Sequence, residues 1–251
     1  MEVAKRLRQQ AATLRFKGSS PFLHLDSMRQ RFIIVTLLGF LPFIILLLSH
    51  TFLPQGYSFS SIYKLIFLAP ILLRKQWQSC SFFESIIQHV HFKPKNILSG
   101  IITGILLATL YGLVYIVSTH FLNFAPAVTA LSEKLALTPL KIILVCIYIF
   151  ILNSFLEEFF WRTFIFNELA KYHKLLAHII SGSGFALQHI VFFMGFFSTP
   201  ILALAFTGLF TFSLLMNYMF ARWSDLTQIW IAHAIADTAQ FMIGMHLFGI
   251  I

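Results

Sequence analysis

Charge is scarce in this chain. Only 11% of its 251 residues are Asp, Glu, Lys or Arg, against about a quarter in soluble domains. Hydrophobic residues make up 58%, 30 of them Phe, and the mean hydropathy is +0.82. One soluble core cannot hide so much apolar surface, so the composition excludes a soluble globular protein. Cysteine is nearly absent. Cys80 and Cys146 are too few for a disulfide framework and form no C-x-x-C metal spacing. No H-E-x-x-H occurs, and there is no internal repeat or low-complexity tract. Acidic residues number nine against 18 basic ones, an excess that invites a nucleic-acid partner. Seven of the 18, however, precede Ile33 and most others fall in short loops. That is the positive-inside pattern of a membrane protein, not a phosphate-binding face. A cleavable signal is also excluded. The apolar run after the basic N-terminus spans 22 residues, and no small-residue cleavage site follows it.

What the chain has instead is a series of apolar runs near the ~20 residues that a membrane crossing needs. They are Phe32–Leu53, Ser58–Leu73, Ile97–Leu122, Lys141–Phe166, Leu175–Phe197, Ser198–Ala221 and Leu226–Ile251. The second is the weakest, with 16 residues and Lys64 inside it; tilting, re-entry or snorkelling of Lys64 would accommodate it. Lys and Arg alternate between rich and poor along the intervening loops, which predicts a cytoplasmic N-terminus and an outside C-terminus. The expected fold is an all-α integral membrane protein, a bundle of about seven transmembrane helices with six to eight as the range. Residues 1–31 form a basic cytoplasmic segment and residues 32–251 one helical domain. The membrane is read as a bacterial inner (cytoplasmic) membrane, with an organelle membrane as the alternative. The lipid bilayer and a membrane-associated protein or peptide are the expected partners.

Three acidic residues lie well inside these runs: Glu157, Glu158 and Asp237. A charge at the bilayer centre costs ~2.5–3.5 kcal/mol on insertion scales, so each needs a partner or a purpose. Arg162 follows Glu158 by four residues and therefore sits one helical turn away on the same face. It can neutralise that carboxylate. Glu157, about 100° round the helix, must look to another helix. His189 and the i,i+4 pair His233 and Asp237 are available there. Measured from the cytoplasmic ends at the helical rise, Glu157 is roughly 15 Å deep, His233 roughly 12 Å, Asp237 roughly 18 Å and His189 roughly 21 Å. All four can converge.

Glu157-Glu158-Phe-Phe-Trp-Arg162 has the form E-E-x-x-x-R, Phe185-Ala-Leu-Gln-His189 the form F-x-x-x-H, and His233-Ala-Ile-Ala-Asp237 the form H-x-x-x-D. These three motifs, in this order on three separate spans within residues 141–237, resemble the CPBP family of CAAX proteases and bacteriocin-processing proteins, also called the Abi family. The resemblance implies an intramembrane endopeptidase, a hydrolase in which Glu157 is the general base and His189 its partner on the attacking water. It further implies that His233 and Asp237 stabilise the oxyanion while Glu158 and Arg162 orient the site. The chain has Asp237 where the best-studied members have Asn. A carboxylate there helps an oxyanion only if protonated, or else by orienting His233.

Each element also has a plainer reading. A buried Glu–Arg pair is often only structural, and His233 with Asp237 can satisfy itself. Two carboxylates and two histidines are zinc ligands in type, yet they come from three helices with no compact ligand motif, so no metal or other cofactor is expected. Ser181-Gly-Ser-Gly184 suggests a serine nucleophile but lacks the first Gly of the rhomboid G-x-S-G signature, and close helix packing explains it better. Two other classes stand as alternatives: a catalytically silent scaffold or immunity protein, and a proton-coupled transporter, which would more often be longer and internally repeated.

Overall fold

A computed structural model describes residues 21–52, 63–70, 73, 82–126, 128–129 and 144–250. Those residues contain no strand. They contain six long helices: α1 Pro21–Phe52, α2 Pro94–Ser118, α3 Leu144–Ala170, α4 Lys174–Ile190, α5 Thr199–Trp223 and α6 Leu226–Leu247. Their ends follow local chemistry. Pro94 and Pro200 occupy first turns, where a missing N–H costs nothing. The His173 ring accepts from the Leu176 N–H at the start of α4, and the Asp225 carboxylate accepts from the Thr227 N–H at the start of α6. Ser224 closes α5 in the left-handed region, φ 50°.

Helices α1 to α5 are long and apolar enough to cross a bilayer. Their outward faces carry large apolar side chains, among them Leu37, Leu48, Leu98, Ile105, Leu106 and Leu204, all exposed. In water such a band would be an aggregation surface; in lipid it is the ordinary exterior. The protein is an integral membrane protein. Helix α6 is long enough too, ~33 Å at 1.5 Å per residue, but it is less apolar because it buries Gln228 and His233 against its neighbours.

The largest helix pairing joins α2 to α6. It depends on a small-residue stripe, Gly100-Ile-Ile-Thr-Gly104, of the kind that lets two backbones approach closely. A Cβ at Gly104 would lie 2.8 Å from the Ile235 Cβ. The second close approach is at Gly184 of α4, where a Cβ would run into the Gly39 carbonyl oxygen of α1 and the Trp161 ring of α3. The serine–glycine run of α4 is thus a packing surface. Ser181 Oγ donates to the Trp161 carbonyl at 3.3 Å or to Asn217 Oδ1 at 3.3 Å.

Contacts between helix ends give the directions of the helices. The Phe32 ring of α1 meets Tyr172, in the turn between α3 and α4. The Leu226 N–H donates to the His89 carbonyl, and Asn96 hydrogen-bonds Asp225, so α2 and α6 start at the same end. Tyr115 and His246 pair at the other end. Helix α1 therefore runs away from the end at which α2 begins, and residues 53–93 join the two. Within that stretch the expected second helical span, 58–73, is not one continuous helix. Tyr63–Leu68 forms a 3₁₀ turn, while 58–62 and 71–72 lie outside the described residues, as do Cys80 and most of the basic segment 1–31. Pro70 offers no N–H to a continuing helix. The turn is held instead by Phe67 against Phe160, 5.0 Å between centroids, and by Lys64 against Asn153. The described residues hold six long helices, within the expected range of six to eight, and residues Pro21 and Leu247 lie at opposite ends.

Candidate active site

Helix α3 is not a uniform α-helix. A π stretch, Tyr148–Asn153, leads into five α-helical residues, Ser154–Glu158, and a second π stretch, Phe159–Phe166, follows. Such widened turns are uncommon and cluster at functional sites. Both glutamates sit in the short α segment between them. From Phe159 to Phe166 every side chain is buried, so the carboxylates look out from the most enclosed part of the bundle.

The six residues singled out in the sequence form two groups that meet at the short α segment: Glu158 with Arg162, His233 and Asp237, and Glu157 with His189. Glu158 Oε2 lies 3.1 Å from Arg162 Nε, and both side chains are wholly buried. Glu158 Oε1 accepts from His233 Nδ1 at 2.7 Å. The other nitrogen of that ring, Nε2, is 3.4 Å from Asp237 Oδ1. Glu157 points the other way, with Oε2 3.6 Å from His189 Nε2. His189 Nδ1 is 2.8 Å from the Phe185 carbonyl oxygen. A carbonyl only accepts, so Nδ1 carries a proton, and the ring turns Nε2 toward Glu157. The sequence expectation that Arg162 would serve Glu158 and leave Glu157 to another helix agrees with this geometry. His233 differs from expectation in one respect. It joins Glu158 as well as Asp237, because the α2–α6 contact seats α6 against α3 at this level.

Phe185 explains why an aromatic residue opens the second motif. Its ring centroid is 4.5 Å from that of His189 and 5.9 Å from that of His233, and the Arg162 guanidinium carbon lies 4.8 Å above it. One ring thus separates the two histidines and covers the arginine, a cation–π contact in a desolvated place. Arg162 Nη2 donates to Ser213 Oγ of α5 at 3.1 Å.

Access is graded. Side-chain exposure is zero for Glu158 and Arg162, 3% for Glu157, 5% for His233, 15% for Asp237 and 26% for His189. The site opens on the His189 and Asp237 side and is closed behind Glu158.

Three polar residues of this network were not singled out by the sequence. Asn153 Nδ2 donates to Glu157 Oε1 at 3.0 Å. Lys64 Nζ donates to Asn153 Oδ1 at 2.6 Å. Ser213 is the third. For Asn153 a signal existed: it precedes Glu157 by four residues in an otherwise apolar run. Nothing in the sequence pairs Lys64 or Ser213 with α3.

Neither the curated proteins nor the solved structures contain a match to this chain. The family model described as type II CAAX prenyl endopeptidase Rce1-like matches residues 139–239, a stretch that runs from the start of α3 to just beyond Asp237 and holds all six residues of the three motifs. Such a match agrees with a CPBP-type intramembrane protease: the segment of the chain that builds this site is similar to the Rce1-like family of CAAX endopeptidases.

Proposed function

We propose that the protein hydrolyses a peptide bond of a membrane-associated substrate with a water activated by Glu157 and His189. The observation that carries this reading is the pairing of Glu157 Oε2 with His189 Nε2 across 3.6 Å. That separation is too long for a direct hydrogen bond, and Oε2 has no hydrogen-bond partner among the described residues. A water touching both atoms would give its proton to Glu157 as its oxygen attacks the scissile carbonyl carbon. Glu157 would then return the proton to the leaving amine. His233, held by Glu158 and oriented by Asp237, lies on the other face of Phe185, where an oxyanion would need stabilising. The substrate class favoured by the family is a prenylated C-terminal tail; a leader peptide and a sorting tail are the alternatives. Comparison of the membrane proteomes of cells carrying wild-type and Glu157→Ala protein should reveal one or more uncleaved substrates. Identical proteomes would favour the scaffold or immunity reading.

No metal is invoked. Both nitrogens of His233 already face protein carboxylates, and a zinc ligand set that used this ring would need one of them freed. Cleavage by purified protein should therefore survive strong chelators. Loss of cleavage on chelation, restored by added zinc, would reassign Glu157 as a ligand or as base to a zinc-bound water.

Orientation follows from loop charge. With the basic N-terminus in the cytoplasm and the chain ends at opposite faces, a reporter fused after Ile251 should be active only outside. Activity confined to the cytoplasm would reverse the assignment.

A further inference from the structure

Lys64 is the one basic residue of the apolar run 58–73, and the 3₁₀ turn Tyr63–Leu68 carries it into the bundle beside α3. Its Nζ reaches Asn153 Oδ1 at 2.6 Å and lies 4.7 Å from the centroid of the Tyr148 ring. Asn153 is nearly fully buried, and its amide group has two ends that do different things. Oδ1 accepts from Lys64, which fixes the amide orientation and turns Nδ2 toward Glu157 Oε1 at 3.0 Å. A lysine ammonium only donates, so the amide cannot be reversed while Lys64 is in place. The outcome is directional. One oxygen of Glu157 is tied to Asn153, and the other is left to face His189 at 3.6 Å.

We propose that Lys64, acting through Asn153, is a positioning residue for Glu157. It fixes which carboxylate oxygen meets the attacking water and places a positive charge two hydrogen bonds behind it. This deepens the hydrolytic reading and rests on it for its effect on rate. The lysine lies outside residues 139–239, so the 3₁₀ turn Tyr63–Leu68 becomes part of the site.

The test uses full-length protein in detergent with two readouts. The first is the position of the Glu157 carboxylate bands in isotope-edited infrared difference spectra, wild type minus Glu157→Gln, which report hydrogen bonding to that carboxylate with or without turnover. The second is cleavage of a farnesylated C-terminal peptide. Lys64→Met and Asn153→Leu should each shift the bands and lower kcat about 10²-fold, the size of effect that a small misplacement of a reacting group produces, with KM changed less than about twofold. Lys64→Arg should restore both. Bands unchanged in Lys64→Met, or a rise in KM with kcat intact, would overturn the proposal. The hydrolytic reading fails separately, through Glu157→Gln protein that cleaves as well as wild type, and the infrared result still decides the relay.

Discussion

Glu157→Gln should lower kcat by about 10²–10⁴-fold, the usual contribution of a positioned general base, while leaving the folded protein almost untouched. The amide retains an oxygen to accept from Asn153 Nδ2, so the contact at 3.0 Å survives. The amide nitrogen takes the place of Oε2 opposite His189 but cannot take a proton from water. Cleavage of a prenylated peptide by protein reconstituted in liposomes measures the loss, and the thermal unfolding midpoint measures the fold. Wild-type rates in the variant would sink the glutamate mechanism, because no other carboxylate of the network faces His189.

The neighbouring residue should behave in the opposite sense. Glu158 lies at the centre of the network, bonded to His233 and paired with Arg162, with both charged partners buried. Glu158→Gln removes the negative charge from between them and leaves an arginine with no exposure at all. Breaking one partner of a buried pair costs ~3–5 kcal/mol, far more than the pair itself contributes relative to apolar groups. The variant should therefore unfold at a markedly lower temperature or fail to accumulate in the membrane. Removing the stranded charge as well, in Glu158→Gln with Arg162→Met, should recover part of the stability. Equal unfolding midpoints for Glu158→Gln and wild type would show that the pair does not hold the bundle. The contrast between two adjacent glutamates, one lost through chemistry and one through assembly, distinguishes a catalytic network from a merely structural one.

The membrane bundle was legible in the sequence because apolar length leaves few options in lipid. Runs such as Phe32–Leu53 and Ser198–Ala221 became α1 and α5 with only their ends displaced. The convergence of Glu157, His189, His233 and Asp237 was legible as well, since i,i+4 spacing and similar depth left little freedom. Three features were not. The π stretches on both sides of Ser154–Glu158 have no residue pattern of their own. The second run reads as a short helix by hydropathy, whereas Lys64 and Pro70 favour a tighter turn fixed by tertiary contacts. His233 was assigned to Asp237 because that pair is local. Its bond to Glu158 spans 75 positions in the chain and depends on the α2–α6 contact, which sequence spacing does not reveal.

The glycine stripe of α2 carries a consequence for modularity. The histidine–aspartate arm of the site rides on α6, and α6 is held chiefly by α2 rather than by its sequence neighbour α5. Its first turn is tied to His89, His91 and Asn96, and α3 and α4 are closed by Gly39 of α1. Residues 139–239 thus contain the reactive groups but not the walls that fix their spacing. A bulky side chain at Gly104 would prise α6 from its seat and separate His233 from Glu158, disabling the site from a helix that contributes no reactive group to it.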